Sequence, residues 1–141
     1  AMKAKRNFEK ADSDVYDTHI TIVLLEAQLK LKKYDNYVET AKWGIEKAQK
    51  YNQSFYLSKI NVFLAIYYHL KKDMDNFNLY AENAENAAKN PGDFLEIYVK
   101  LFELTKERKY LKPIKENMKK LNPEAAFYEM AEKTLKEAGE L

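Results

Sequence analysis

Two stretches of this chain carry the same punctuation, Leu31-Lys32-Lys33-Tyr34-Asp35-Asn36-Tyr37 and Leu70-Lys71-Lys72-Asp73-Met74-Asp75-Asn76-Phe77. Each closes one apolar helical run with Leu-Lys-Lys and opens the next with Asp-Asn and an aromatic. The chain therefore reads as helical hairpins repeating at roughly forty residues. A fixed period of that length means a stacked array, in which each hairpin buries its apolar face only against its neighbours. Arrays of this kind build binding surfaces more often than active sites.

The runs between the turns have helical spacing. Tyr16, Ile20, Val23, Leu24, Ala27 and Leu31 form one apolar stripe, which predicts a helix buried on that face and capped by Asp14. Asn36 with Glu39 reads as a capping box for the second helix, striped by Tyr37, Ala41, Ile45 and Ala48. The third opens at Ser54 and is apolar nearly all round, with Ile60, Val62, Phe63, Leu64, Ala65 and Tyr67, which places it in the middle of the array. Asp75 starts the fourth, and Asp93 with Glu96 boxes the fifth. Pro113 sits in the first turn of the sixth, where its missing N–H costs little. Asn122-Pro123 starts a seventh that ends at Gly139.

Within the middle hairpin, Leu64-Ala65, then Tyr68, then Ala81 and Ala84, and Asn90-Pro91 at the exit, follow the order of a known motif. Ala41 and Gly44 repeat part of it in the first hairpin, and Tyr110 with Asn122-Pro123 in the third. The chain resembles the tetratricopeptide repeats. The turns at Tyr34, Met74 and Tyr110 are spaced 40 and 36 apart, against about 34 in that family. The resemblance implies an all-α, right-handed stack of antiparallel hairpins, a tetratricopeptide-like α-solenoid of about seven helices. Residues 1–13 read as a tag remnant (Ala1-Met2) and the end of a partial repeat, in which Phe8 and Ala11 pack on the first full helix. Residues 14–141 read as the repeat domain, with hairpins at 14–52, 54–90 and 93–121 and a terminal helix at 123–138.

The chain has 141 residues, a formal charge of +2, three Gly, three Pro and no Cys. So few turn residues disfavour a β-sandwich or barrel. The lack of Cys removes disulfides and thiolate metal sites, and suits a cytoplasmic protein. No apolar run reaches the roughly eighteen residues of a membrane span. The two histidines, His19 and His69, belong to no metal motif, the glycines are isolated, and no Ser stands in a nucleophile elbow. Neither an enzyme nor a cofactor is expected.

Charge is uneven. Between residues 73 and 96 there are six acids and one base, and between 100 and 120 eight bases and three acids. Lys109, Lys112 and Lys115 form a candidate basic patch. Nucleic acid is disfavoured, because no base-stacking platform accompanies the patch. In arrays resembling tetratricopeptide repeats the first helix of each pair lines a concave surface. The resemblance therefore implies a partner groove built from His19, Glu26 and Lys30 on the first helix, Asn61, Tyr68 and Lys72 on the third, and Lys100 on the fifth. Such residues suit an extended protein or peptide segment. Two further readings are a sensing or regulatory repeat domain of a larger bacterial-type regulator, and a structural helical bundle that homodimerises.

Overall fold

A computed structural model describes the backbone of residues 2–141 and the side chains of residues 17–141. Among these the chain is all-α and strand-free. The helices are α1 (Met2–Leu31), α2 (Tyr37–Lys50), α3 (Ser54–Leu70), α4 (Met74–Ala87), α5 (Pro91–Thr105), α6 (Leu111–Met118) and α7 (Ala126–Glu137), with a 3₁₀ turn at Arg108–Tyr110 before α6. Neighbouring helices pack in sequence as a stack of hairpins. The odd-numbered helices form one layer, α1 on α3, α3 on α5 and α5 on α7, and α2, α4 and α6 lie across it. No described helix is long and apolar enough to cross a membrane.

The repeat is legible residue by residue at an offset of 40. In the second layer Tyr37, Ala41, Gly44 and Ala48 of α2 recur as Phe77, Ala81, Ala84 and Ala88 of the α4 region, all buried except the half-buried Ala88. In the first layer the buried Thr18, Thr21, Ile22 and Leu25 of α1 recur as the buried Ser58, Asn61, Val62 and Ala65 of α3. Small residues recur where the two layers cross because helix axes approach closely only there. Gly44 is the tightest case, since a Cβ there would lie 2.5 Å from Thr21 Cγ2 and 3.0 Å from Ile60 Cδ1. As expected for its all-round apolar sequence, α3 is central, with Ile60, Val62, Phe63, Leu64 and Ala65 all buried.

α1, α2 and α3 each end on a residue other than Gly in the left-handed region. Lys32, Asn52 and Lys72 have φ of 55°, 53° and 60°. In each, the next amide donates to a carbonyl five residues back, as in Lys33 to Gln28 (3.0 Å), Gln53 to Ala48 (2.9 Å) and Asp73 to Tyr68 (2.9 Å). These bonds satisfy carbonyls that would otherwise be orphaned at the helix ends. Gly139, with φ of 78°, does the same for α7, as its sequence position predicts.

Several local expectations are corrected. The helix continues through Asp12-Ser13-Asp14, so Asp14 is no cap. Those residues cost only a few tenths of a kcal/mol each inside a helix, and no Gly or Pro interrupts residues 2–31 to stop it. The expected packing of Phe8 and Ala11 lies outside the described side chains, as does that of Tyr16. Asn36 adopts a left-handed conformation (φ 59°) and makes no side-chain cap, so no box forms with Glu39. Asp73, two residues before Asp75, caps α4 by accepting from the Asn76 amide. Asn90 caps α5 by accepting from the Asp93 amide at 3.0 Å, and Asp93 reaches back toward the Lys89 amide. α7 begins at Ala126 because Asn122 spends its carboxamide on the Glu124 amide in the preceding turn.

The largest correction is the face of α1. Ile20, Val23, Leu24, Ala27 and Leu31 are exposed, and Thr18, Thr21, Ile22 and Leu25 turn inward. Both sides of this helix carry apolar residues, and α2 and α3 cover one of them. The Thr21–Gly44 crossing selects which.

Candidate functional site

α2 and α4 stand apart, with α3 beneath the gap. A cleft of about 380 Å³ lies there, lined by Lys42, Ile45, Gln49, Leu57, Asn61, Tyr80, Asn83, Asn86 and Ala87. It runs into a second of about 270 Å³ that shares Gln49, Leu57, Asn86 and Ala87 and adds Ala48, Asn52, Gln53, Ser54 and Lys89. Six of these fourteen residues are carboxamides (Gln49, Asn52, Gln53, Asn61, Asn83 and Asn86). None is a carboxylate, although 22 of the 141 residues are acids.

Each part is placed by the hairpin geometry. Asn61 projects from the centre of α3 and is nearly fully buried. Its Nδ2 donates back to the Leu57 carbonyl at 2.8 Å, which leaves Oδ1 to the cleft. Asn83 and Asn86 lie on one side of α4, with Tyr80 a turn below. Tyr80 stacks on Tyr68 of α3, ring centroids 5.5 Å apart and planes 5° from parallel. Burial, with Tyr80 beside it, pushes the Tyr68 phenol up. Gln49 ends α2, and Asn52-Gln53 form the left-handed turn into α3. The Oε1 of Gln53 is buried without a hydrogen-bond partner among the described residues, an acceptor whose desolvation costs about 1–3 kcal/mol until something donates to it.

The residues expected in one groove divide between two faces of α3. Asn61 and Tyr68 belong to the α2–α4 side, and Lys72 is exposed in the turn beyond α3. The other members lie in the layer of odd-numbered helices. His19 meets Tyr56 edge-on at 6.4 Å, and Lys100 reaches over the Phe63 ring at 5.9 Å. Glu26 and Lys30 pair with each other at 3.5 Å in solvent. That layer is knitted by its own contacts, including Lys59 to Glu96 at 3.1 Å between α3 and α5.

In the basic stretch, Lys109 pairs with Glu107 at 3.0 Å, and Lys115 pairs with Glu140 at 2.6 Å. Arg108 joins the same Glu140 carboxylate. The Lys115 hydrogen bond holds that carboxyl below its ordinary range. Lys112 is exposed. A further cleft between α4, α5 and α6 holds Glu82, Glu85, Tyr98, Lys109 and Tyr110. Burial raises the Glu85 carboxyl, with Glu82 adding to it. Burial also pushes the Tyr98 phenol up to about 12, with Glu85, its hydrogen-bond partner, reinforcing the shift. No group of three or more His, Asp or Glu placed to hold a metal ion occurs among the described residues.

Only Asn61 of the carboxamide cleft was a sequence candidate. The other members come from three helices and a turn, so no contiguous motif marks them. The signal in the sequence is density, with Gln49, Asn52 and Gln53 within five residues and Asn76, Asn78, Asn83, Asn86 and Asn90 within fifteen. No family model matches the chain, and neither does any curated protein or solved structure.

Proposed function

We propose that this chain is a non-enzymatic recognition module of tetratricopeptide-like repeats, and that the cleft between α2 and α4 takes an extended peptide segment. The observation that carries this is the cleft's composition, six carboxamides and no carboxylate among fourteen lining residues. A carboxamide offers a donor and an acceptor on one planar group, the same pair that a peptide unit presents. A row of them can bond an extended backbone that has left water, wherever the bound segment's side chains point. Lys42 and Lys89 add positive charge at the rim, favouring acidic residues in the segment. The Asn61 acceptor gains a hydrogen bond on occupancy. The layer of odd-numbered helices is the weaker candidate, because Lys59, Lys100 and His19 already have partners within the chain.

The test is selection from a displayed library of random peptides. The intact protein enriches a family of sequences. Asn83→Leu with Asn86→Leu, both on the cleft side of α4, lowers affinity for those sequences at least tenfold and leaves the helical circular-dichroism signal unchanged. Reversing Glu26 and Lys30 leaves affinity unchanged. If nothing is enriched, or if the selected peptides bind the α4 variant as tightly as the parent, the cleft is not a peptide site.

A further inference from the structure

The 40-residue register exposes a mismatch between α1 and α3. Ile60, Phe63, Leu64 and Tyr67 form the face of α3 on which α1 and α2 pack, the first three buried and Tyr67 half-buried. Their equivalents on α1 are Ile20, Val23, Leu24 and Ala27. Here Ile20 is 49% exposed, Val23 51% and Leu24 49%, and Leu31, one turn further along the stripe, is 65% exposed. The face that receives a hairpin on α3 is thus repeated on α1, with no described element upon it.

The other end of the stack differs. The outer side of α7 presents Glu129, Lys133, Lys136 and Glu137, all exposed. Lys133 pairs with Glu137, and Lys136 with Glu132. This side is polar, its charges paired along the helix. A head-to-tail contact between copies would desolvate those charges against the apolar stripe. A head-to-head contact matches apolar to apolar, is self-complementary, and closes at two.

We propose that two copies of this chain pair through the outer faces of their α1 helices. Trp43, the single tryptophan, is half-exposed on α2 one turn before Lys47, whose ammonium reaches Asp17 of α1 at 4.0 Å. It therefore stands on the side of α2 that faces α1, at the margin of the stripe. The stripe with Trp43 offers on the order of 500 Å² per copy, so a symmetric pair buries about 1,000 Å², the lower edge of a specific interface. The pair is consequently reversible and concentration-dependent. This inference is independent of the peptide cleft, which opens on the far side of α3.

Analytical ultracentrifugation from low micromolar to several hundred micromolar tests it. The mass should rise from 16.6 kDa toward twice that value, with Trp43 emission moving to the blue over the same range. Leu24→Glu, at a site already exposed in the monomer, should abolish both changes while the circular-dichroism spectrum stays helical. Leu79→Glu, an equally exposed leucine on α4, should leave both intact. A constant monomer mass, association that survives Leu24→Glu combined with Leu31→Glu, or equal loss in the Leu79 variant would each overturn the proposal.

Discussion

The Tyr37 hydroxyl donates a 2.8 Å hydrogen bond to the Phe63 carbonyl, joining the first residue of α2 to the centre of α3. The phenol is fully buried, and its ring stacks on Tyr67 with centroids 5.0 Å apart. Burial pushes the phenol's pKa well above the ordinary tyrosine range, reinforced by Tyr34 and Tyr67, so it is far less acidic than a free tyrosine. The bond is therefore a neutral donor anchoring one hairpin on the next. Tyr37→Phe keeps the ring and loses the bond, and should cost about 0.5–1.5 kcal/mol in urea unfolding. A smaller cost would mean that the ring stack alone holds this junction.

Gly44→Ala should destabilise despite the roughly 1 kcal/mol that Ala gains over Gly inside a helix. The new methyl meets Thr21 Cγ2 at 2.5 Å and Thr21 Oγ1 at 2.9 Å, and overpacking of this kind costs about 1–3 kcal/mol. Thr21→Ala removes both atoms, so the double variant should recover most of the loss. Additive costs in the double-mutant cycle would show that the crossing of α1 and α2 is not set by this contact.

The period, the helix count and the central place of α3 are legible in the sequence because they follow from spacing alone. The buried face of α1 is not. Ile22 with Leu25 and Ile20 with Leu24 are equally apolar stripes, and the choice between them is made by Gly44 accepting Thr21. The site divided for a related reason. A helical wheel places Asn61 and Tyr68 on one side of α3 and Phe63 on another, but it cannot say that α2 and α4 flank the first side while α1 and α5 flank the second. Carboxamides from three helices and a turn meet only once those neighbours are known.

Lys72 holds φ of 60° at the end of α3, a conformation costing a side-chain-bearing residue about 1 kcal/mol relative to Gly. Lys72→Gly should stabilise by ~0.5–1 kcal/mol, the larger flexibility of Gly in the unfolded chain offsetting part of the gain. Thermal melts of the two proteins check this. A lower midpoint in the variant would mean that the lysine side chain contributes more than the turn costs.

Burial holds the Glu85 carboxyl above its ordinary value, aided by Glu82 and opposed by Lys109 and the Tyr98 hydrogen bond. A raised folded-state value favours the fold at pH below the unfolded-state value, and that contribution is lost as pH rises through the folded-state value. Glu85→Gln, which keeps an acceptor for Tyr98, should therefore be the more stable protein at neutral pH. The gain is at most about 0.5 kcal/mol after solvent screening. The difference should close below about pH 4, where wild-type Glu85 is protonated in both states. An advantage that persists unchanged into acid would point to a packing effect.

The most direct test of the peptide-cleft account follows the side-chain NH₂ resonances of the carboxamides by ¹⁵N-correlated NMR as a library-selected peptide is titrated. Asn83, Asn86, Gln49 and Gln53 should shift together, saturating with one binding isotherm, while the backbone amides of His19, Lys59 and Lys100 stay in place. Shifts confined to those three residues and their neighbours, with the cleft carboxamides unmoved, would contradict the account and assign recognition to the layer of odd-numbered helices.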